Sequence, residues 1–353
     1  MEKAAYLFCT DSAPLTCEFF GHGHINSTFL LTTQSGKQYI LQRVNHYVFK
    51  NPLQVVANAQ AVTSFIQEKG HLALSYIPAT DGTFCARDAE GNYWRMYEFV
   101  EGFCLDAPES AEDFYQSALA FGKFQDLLSD FPAQTLAETI PDFHNTPARY
   151  RQLKQAIADN KAGRLSQVEK EVDFYLALEE KASQLQQMLE RGELPLRVTH
   201  NDTKFNNVLL SNDSHKPLCV LDLDTVMPGL SLYDFGDAIR SGAHTGREDE
   251  QDLSNVRLRL DLYEMYVKGY LEAAPSLTDR EVSCMTLGAF TMTLECGSRF
   301  LTDYLNGDLY FRTAYPEHNL VRCRTHIALV QQILDNWGKM DAIVAAIATQ
   351  VRK

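Results

Sequence analysis

Thr199-His200-Asn201-Asp202-Thr203-Lys204-Phe205-Asn206-Asn207, followed by Leu221-Asp222-Leu223-Asp224, decides the reading of this chain. The pattern is His-x-Asp, four residues, Asn, and then an apolar run that ends in Asp. A carboxylate such as Asp202 is ionised at neutral pH and can accept a hydroxyl proton. The oxygens of Asn207 and Asp222 are the hard ligands that Mg²⁺ takes in its octahedral shell. A base and a metal pair in this order are what phosphoryl transfer to a hydroxyl requires.

The flanks set these residues on loops between strands. Leu196-Arg197-Val198 leads in, Val208-Leu209-Leu210 leads out, and Leu218-Cys219-Val220-Leu221 follows the polar stretch 211–216. Short apolar runs broken by turn residues read as buried strands. The layout is that of a kinase catalytic loop, and the complete ordered set is far more specific than an isolated His-x-Asp. Asp234-Phe235-Gly236 spells the metal-binding tripeptide of protein kinases. It lies 27 residues past Asn207, whereas Asp222 lies 15 past it. The metal is therefore assigned to Asp222, and Asp234 is expected to accept backbone N–H groups of the catalytic loop.

Composition narrows the class. With 353 residues and 45% hydrophobic content, the chain can form one large bilobed unit or two domains. A net charge of −14 argues against a nucleic-acid polymer as partner, which would need a basic footprint. The eight cysteines form no Cys-x-x-Cys pair. The first residues lack the long apolar run of a signal peptide, and no run of about 18 apolar residues could span a membrane. A reducing cytoplasm is the expected location.

Along the chain, residues 15–45 read as a β-sheet. A polar, glycine-containing turn, Gly21–Ser27, is placed to approach phosphate. The strand Tyr39–Val44 carries Arg43 where a kinase small lobe has its phosphate-binding Lys, and a guanidinium suits that role. Strand alternation also allows a solvated surface Arg43. A helix is expected over Pro52–Lys69, with no acidic residue until Glu68, so the usual Lys–Glu pair has no evident acid partner. A second hairpin, 83–86 with 93–100, leads to a hinge where the backbone of Glu98 and Val100 would meet a purine edge. From about 103 the chain turns helical, with helices expected at 111–130, 148–160, 168–191, 248–273, 278–305 and 316–339. The fold class is α+β: a bilobed protein-kinase-like fold, with a small β-rich N-terminal lobe (1–100) binding nucleotide. A larger, mainly helical C-terminal lobe (101–353) carries catalysis and substrate.

The motifs resemble the aminoglycoside phosphotransferase and choline kinase superfamily. Within it, seven segments resemble the N-acetylhexosamine 1-kinases. They are Gly23-His24-Ile25-Asn26, Gln42-Arg43-Val44-Asn45, Val48-Phe49-Lys50-Asn51-Pro52, Phe121-Gly122-x-Phe124-Gln125, Pro141-x-Phe143-His144-Asn145-Thr146-Pro147, Asp222–Pro228 and Arg299–Leu305. They run from the small lobe into the last third of the chain. The resemblance implies ATP as phosphoryl donor, Mg²⁺ as cofactor and the anomeric hydroxyl of N-acetylglucosamine or N-acetylgalactosamine as acceptor. It implies Asp202 as base, Asn207 and Asp222 as metal ligands, and Asp224 near enough to assist them. His24, Arg299 and Tyr310, with Asp202, would contact the sugar. Partners are thus a small sugar and a nucleotide; the sequence leaves the oligomeric state open.

Two other readings compete. A choline-, aminoglycoside- or homoserine-type kinase would want an acidic or aromatic cage for a cation, and Glu248, Asp249, Glu250 and Asp252 offer acid. Alternatively, that run merely opens a helix, where negative charge suits the dipole. A non-catalytic pseudokinase is supported only by the missing helix Glu, and Asp202, Asn207 and Asp222 argue against it.

Overall fold

The computed structural model describes residues 2–21, 25–108 and 110–352. The chain divides into two compact units. The first is Met1–Cys104 with Asp130–Pro141 and Val208–Pro228; the second is Leu105–Ser129, Asp142–Asn207 and Gly229–Lys353.

The first unit is built on a five-stranded antiparallel sheet: β1 (Pro14–Phe19), β2 (Ser27–Thr33), β3 (Gln38–Val44), β4 (Ala86–Arg87) and β5 (Tyr93–Glu98), in the spatial order β1-β2-β3-β5-β4. Gly36, at φ +89°, closes the β2–β3 hairpin in the left-handed region that its turn demands. Period-two alternation sorts the side chains. Phe29, Leu31, Tyr39, Leu41, Trp94 and Met96 pack together on one face. Val44 packs with Val55 and Val56 of the helix Pro52–Glu68 on the other. Register pairs Gln42 with Arg95 and Arg43 with Trp94. Arg43 therefore stands on the Trp94 side, and Gln42 shares a face with Arg95.

Later segments return to this unit. Val208–Leu210 and Pro217–Val220 form an antiparallel hairpin. Phe103 and Leu210 exchange backbone hydrogen bonds at 3.0 and 2.8 Å. A Cβ on Gly102 would stand 2.6 Å from the Leu210 carbonyl oxygen, so only glycine permits that approach.

The second unit is helical. Ala111–Leu127 packs on Leu260–Ala273, and Ser231–Gly242 and His318–Val351 both pack on Met285–Asn306. The helix Ser231–Gly242 was not anticipated, and it contains the Asp-Phe-Gly tripeptide. Phe235 is buried against the rings of Tyr263, Tyr266 and Tyr270. Gly236 lies where a Cβ would meet the Gly288 carbonyl oxygen at 2.3 Å, which lets the two helices touch. These are packing duties.

Four helix expectations are corrected. The segment 168–191 is broken into Glu169–Ala177, Glu179–Ala182 and Gln184–Glu190. The Leu178 N–H turns to Tyr175 three residues back, and the Ser183 hydroxyl takes the Glu179 carbonyl, so the α ladder tightens and stops twice. The segment 248–273 is helical only from Leu260. Asp252 caps the Ser254 N–H at 3.0 Å, and Thr245 and Arg257 pair their backbones, which holds 245–257 as a looped excursion. The acidic run 248–252 therefore opens no α-helix; its last residue, Asp252, caps only the single 3-10 turn Leu253–Asn255. Finally, 278–305 is two helices meeting at Cys284, and the last helix runs to Val351 rather than 339.

Candidate active site

The loop 200–207 leaves the buried strand Arg197–Thr199 and is held from below by the carboxylates of Asp234 and Asp237. Asp234 accepts the N–H of His200 at 2.9 Å and of Asn201 at 2.8 Å, and Gln125 donates to it at 2.7 Å. The Thr203 hydroxyl returns to the Asp234 carbonyl at 2.6 Å, and the Thr203 N–H donates to Asp237 at 3.1 Å. Asn201 takes φ +65°, a left-handed kink that those bonds hold in place. Burial pushes the Asp234 carboxyl up, while His200 and the donated N–H groups oppose that shift. The His200 ring is buried against Phe121 and Phe124, at 5.4 and 5.9 Å between centroids. The histidine of the motif is thus packed between aromatic rings, and its Nδ1 accepts the Asp202 N–H at 3.3 Å.

Asp202 rises from this loop half-buried. Lys204 Nζ lies 2.8 Å from its Oδ1. Asn207 Nδ2 donates to the Asp202 carbonyl at 2.8 Å and to Oδ2 at 3.3 Å. The charge of Asp202 raises the Lys204 ammonium above its ordinary range, against burial. With Nδ2 committed to Asp202, the Asn207 oxygen is the atom left to serve as a hard ligand. His144 bridges further. Its Nδ1 lies 2.8 Å from the buried Glu295 and its Nε2 3.5 Å from the Asn201 carbonyl. Asn145 caps the helix Thr146–Asp159. The observed partners of both residues are structural.

In the first unit, Asp222 and Asp224 differ sharply. Asp222 is exposed and left-handed, at φ 54° and ψ 60°, a conformation uncommon for a non-glycine residue. Asp224 is buried and both its oxygens are engaged. Oδ1 pairs with Arg95, and Oδ2 accepts from Asn26 Nδ2 at 2.6 Å. Arg95 also donates to Gln42 at 2.9 Å. Burial works against the Arg95 charge, and the Asp224 carboxylate more than restores it. Breaking such a buried pair costs about 3–5 kcal/mol. Asp224 is therefore the anchor of β5 and of the turn that follows Asp222.

Arg95, not Arg43, is the buried guanidinium of the sheet. Arg43 is exposed and reaches Ser27 at 3.2 Å. A lone Arg inside the apolar strand Tyr93–Glu98 was the available signal, because a buried charge needs a partner. The Glu98 N–H donates to Ser75 at 2.9 Å and its side chain pairs with Lys37, while Val100 follows at the strand exit. His24 lies outside the described residues.

Arg299 and Tyr310 are brought together. The guanidinium lies 5.2, 5.8 and 5.5 Å from the ring centroids of Phe143, Tyr310 and Phe311. Asp303, missed by the sequence reading, positions this loop. It accepts the N–H groups of Leu309, Tyr310 and Phe311 at 2.9, 2.8 and 2.9 Å. A cavity of about 340 Å³ opens here, lined by Arg149, Lys161, Arg299 and Tyr310 among others.

This geometry belongs to a known class. A family model described as the phosphotransferase enzyme family matches residues 16–275, and the chain belongs to that family. Among solved structures, it is similar to amicoumacin kinase hAmiN in complex with AMP-PNP, Ca²⁺ and Ami, at 13% identity over 94% of this chain and 93% of that one, with a TM-score of 0.63. It is similar to a microcompartment-associated aminopropanol kinase at 13% identity over 96% and 97%, TM-score 0.60. It is also similar to an aminoglycoside phosphotransferase from Alicyclobacillus acidocaldarius at 15% identity over 97% and 93%, TM-score 0.57. At these identities the likeness is one of fold, and the α+β kinase-like architecture is that fold.

Proposed function

We propose that this phosphotransferase moves the γ-phosphoryl group of ATP onto the anomeric hydroxyl of an N-acetylhexosamine, giving the sugar 1-phosphate and ADP. The observation that carries the reading is Asp202, held by Lys204 at 2.8 Å on a loop clamped by Asp234. Its carboxylate accepts the proton of the attacking hydroxyl as the new O–P bond forms and the bond to ADP breaks. Asn207 and Asp222 would hold Mg²⁺, which would supply charge neutralisation to the phosphoryl group in transfer. The donor set fits that ion: an amide oxygen fixed by its own N–H bonds and an exposed carboxylate. Asp224, engaged by Arg95 and Asn26, supports that turn instead of binding metal. The backbone of Glu98 and Val100 is proposed to meet the purine edge. Arg43, an exposed residue on the Trp94 side of β3 and so on the face away from Arg95, is not kept as a phosphate contact.

Arg299 and Tyr310 are the proposed sugar contacts. A guanidinium flanked by three aromatic rings can donate to an acetamido carbonyl while apolar faces meet the ring. Plain glucose would leave that donor unpaired, a costly mismatch. A cation-acceptor reading is weakened by the acidic run. Glu248 is paired with Arg240 and Arg322, and Asp249 with Arg247 and His318. The test is Mg-dependent ADP release with N-acetylglucosamine, N-acetylgalactosamine, glucose, choline, homoserine and an aminoglycoside. The reading expects the N-acetyl sugars to lead in kcat/KM. Preference for choline, homoserine or an aminoglycoside would overturn it and leave the family assignment intact.

A further inference from the structure

Away from Asp202, three side chains with metal-binding atoms converge in the second unit. Cys296 is on the helix Met285–Asn306, His326 on the helix His318–Val351, and Glu248 on the loop before Leu260. One ligand atom of each lies within 4.8 Å of the other two. The orientation of His326 is informative. Its Nδ1 lies 2.8 Å from the Arg322 carbonyl oxygen. A carbonyl only accepts, so Nδ1 carries the proton and Nε2 presents its lone pair. Metal-binding imidazoles are commonly held this way, by a carbonyl or carboxylate on the other nitrogen.

We propose that Glu248, Cys296 and His326 form a three-ligand site for a thiophilic divalent ion, of which Zn²⁺ is the best match. Thiolate and imidazole select zinc over magnesium, and three protein ligands leave a fourth position for water. Zn–N and Zn–S bonds of about 2.0 and 2.3 Å require ligand atoms about 3.5 Å apart. Exposed Glu248 has the freedom to close that gap. Its contacts with Arg240 at 3.5 Å and Arg322 at 3.4 Å are long and can be exchanged for a metal bond. On binding, the S–H bond breaks, the Zn–S bond forms and the proton leaves to solvent. A cavity of about 220 Å³ whose lining includes Glu248 and His326 gives the ion its approach. Lys204 lines the same cavity and is the partner of Asp202, so an ion bound there lowers turnover.

The experiment uses the full chain with Co²⁺ as a spectroscopic stand-in and Zn²⁺ as competitor, both in excess Mg²⁺. The expected result is one Co²⁺ per chain with a thiolate-to-cobalt absorption band, displaced by Zn²⁺. Cys296→Ser should abolish the band, and Glu248→Gln should keep it while weakening affinity at least ~10-fold. Circular dichroism and basal turnover confirm that each variant is folded. Absence of the band in the wild type, or its survival in Cys296→Ser, overturns the site. Equal Zn²⁺ inhibition of wild type and Cys296→Ser overturns the link to turnover.

Discussion

Two loops of the second unit are built with the same device and serve different ends. At the catalytic loop, buried Asp234 gathers the N–H groups of His200 and Asn201. At the loop after the helix Met285–Asn306, buried Asp303 gathers those of Leu309, Tyr310 and Phe311. Each carboxylate replaces a ladder that the turning backbone cannot make. The loops differ in what surrounds the clamp. The catalytic loop is also fastened by His200 between aromatic rings, by Thr203 and by Asn207. The Tyr310 loop has Asp303, Asn319 and Arg164 beneath it and is exposed above, with Tyr310 at 67%. One loop is fixed on all sides around Asp202. The other is fixed at its backbone and leaves Tyr310 exposed. The contrast would suit the base and the acceptor contacts proposed for them.

The comparison can be broken in a graded way. Asp202→Asn keeps the shape of the fixed loop and removes its acceptor charge. Steady-state assays should show kcat lower by about 10²–10⁴-fold, with nucleotide affinity nearly unchanged. Near-normal turnover would remove the base assignment. Asp222→Ala comes next: activity should be lost and Mg-nucleotide binding, read by calorimetry, weakened in a folded protein. Retention of metal-dependent binding would send the metal role elsewhere.

The two clamps can then be compared directly. Asp234→Asn leaves buried N–H groups facing an amide. It should cost about 3 kcal/mol in denaturant unfolding and at least tenfold in kcat. Asp303→Asn should cost less stability and act mainly on the acceptor KM, raising it about tenfold (~1.4 kcal/mol) without moving the nucleotide KM. If the two variants shift the same kinetic constant, the division of labour between the loops is wrong.

The smallest effect lies in the first unit. Ser35, with Tyr39 and Thr33, holds the Asp11 carboxyl down to about 2 from an ordinary 3.8. A depressed carboxyl adds stability above its ordinary value, and that stability is lost as pH falls through about 2. Asp11→Asn should flatten the acid-unfolding profile slightly between about pH 4 and 2, and a profile unchanged there would show that the contact contributes nothing.

The clamp at Asp234 was legible in the sequence: counting strands set it apart from Asp222, and it accepts the N–H groups of His200 and Asn201. The spacing of Asp202, Asn207 and Asp222 gave the roles proposed for them. Pairing that depends on register was less legible. Arg43 and Gln42 are neighbours in sequence, yet pleating sends them to opposite faces, and only the β3–β5 register shows that Gln42 meets Arg95. Asp303 and Glu295 were hidden for another reason. An acid within a helical pattern reads as a solvated face until the returning segment that it captures is known. The loop 245–257 failed similarly, because its Asx turn and its Thr245–Arg257 pairing are stronger than a helix-compatible composition.

The central claim is best tested on the product itself. Incubation with MgATP and N-acetylglucosamine, followed by ³¹P and proton NMR, reads which carbon bears the phosphate. The account predicts a phosphate coupled to the anomeric proton, in a product that mild acid hydrolyses. A phosphate on O6, stable to the same acid, would contradict it.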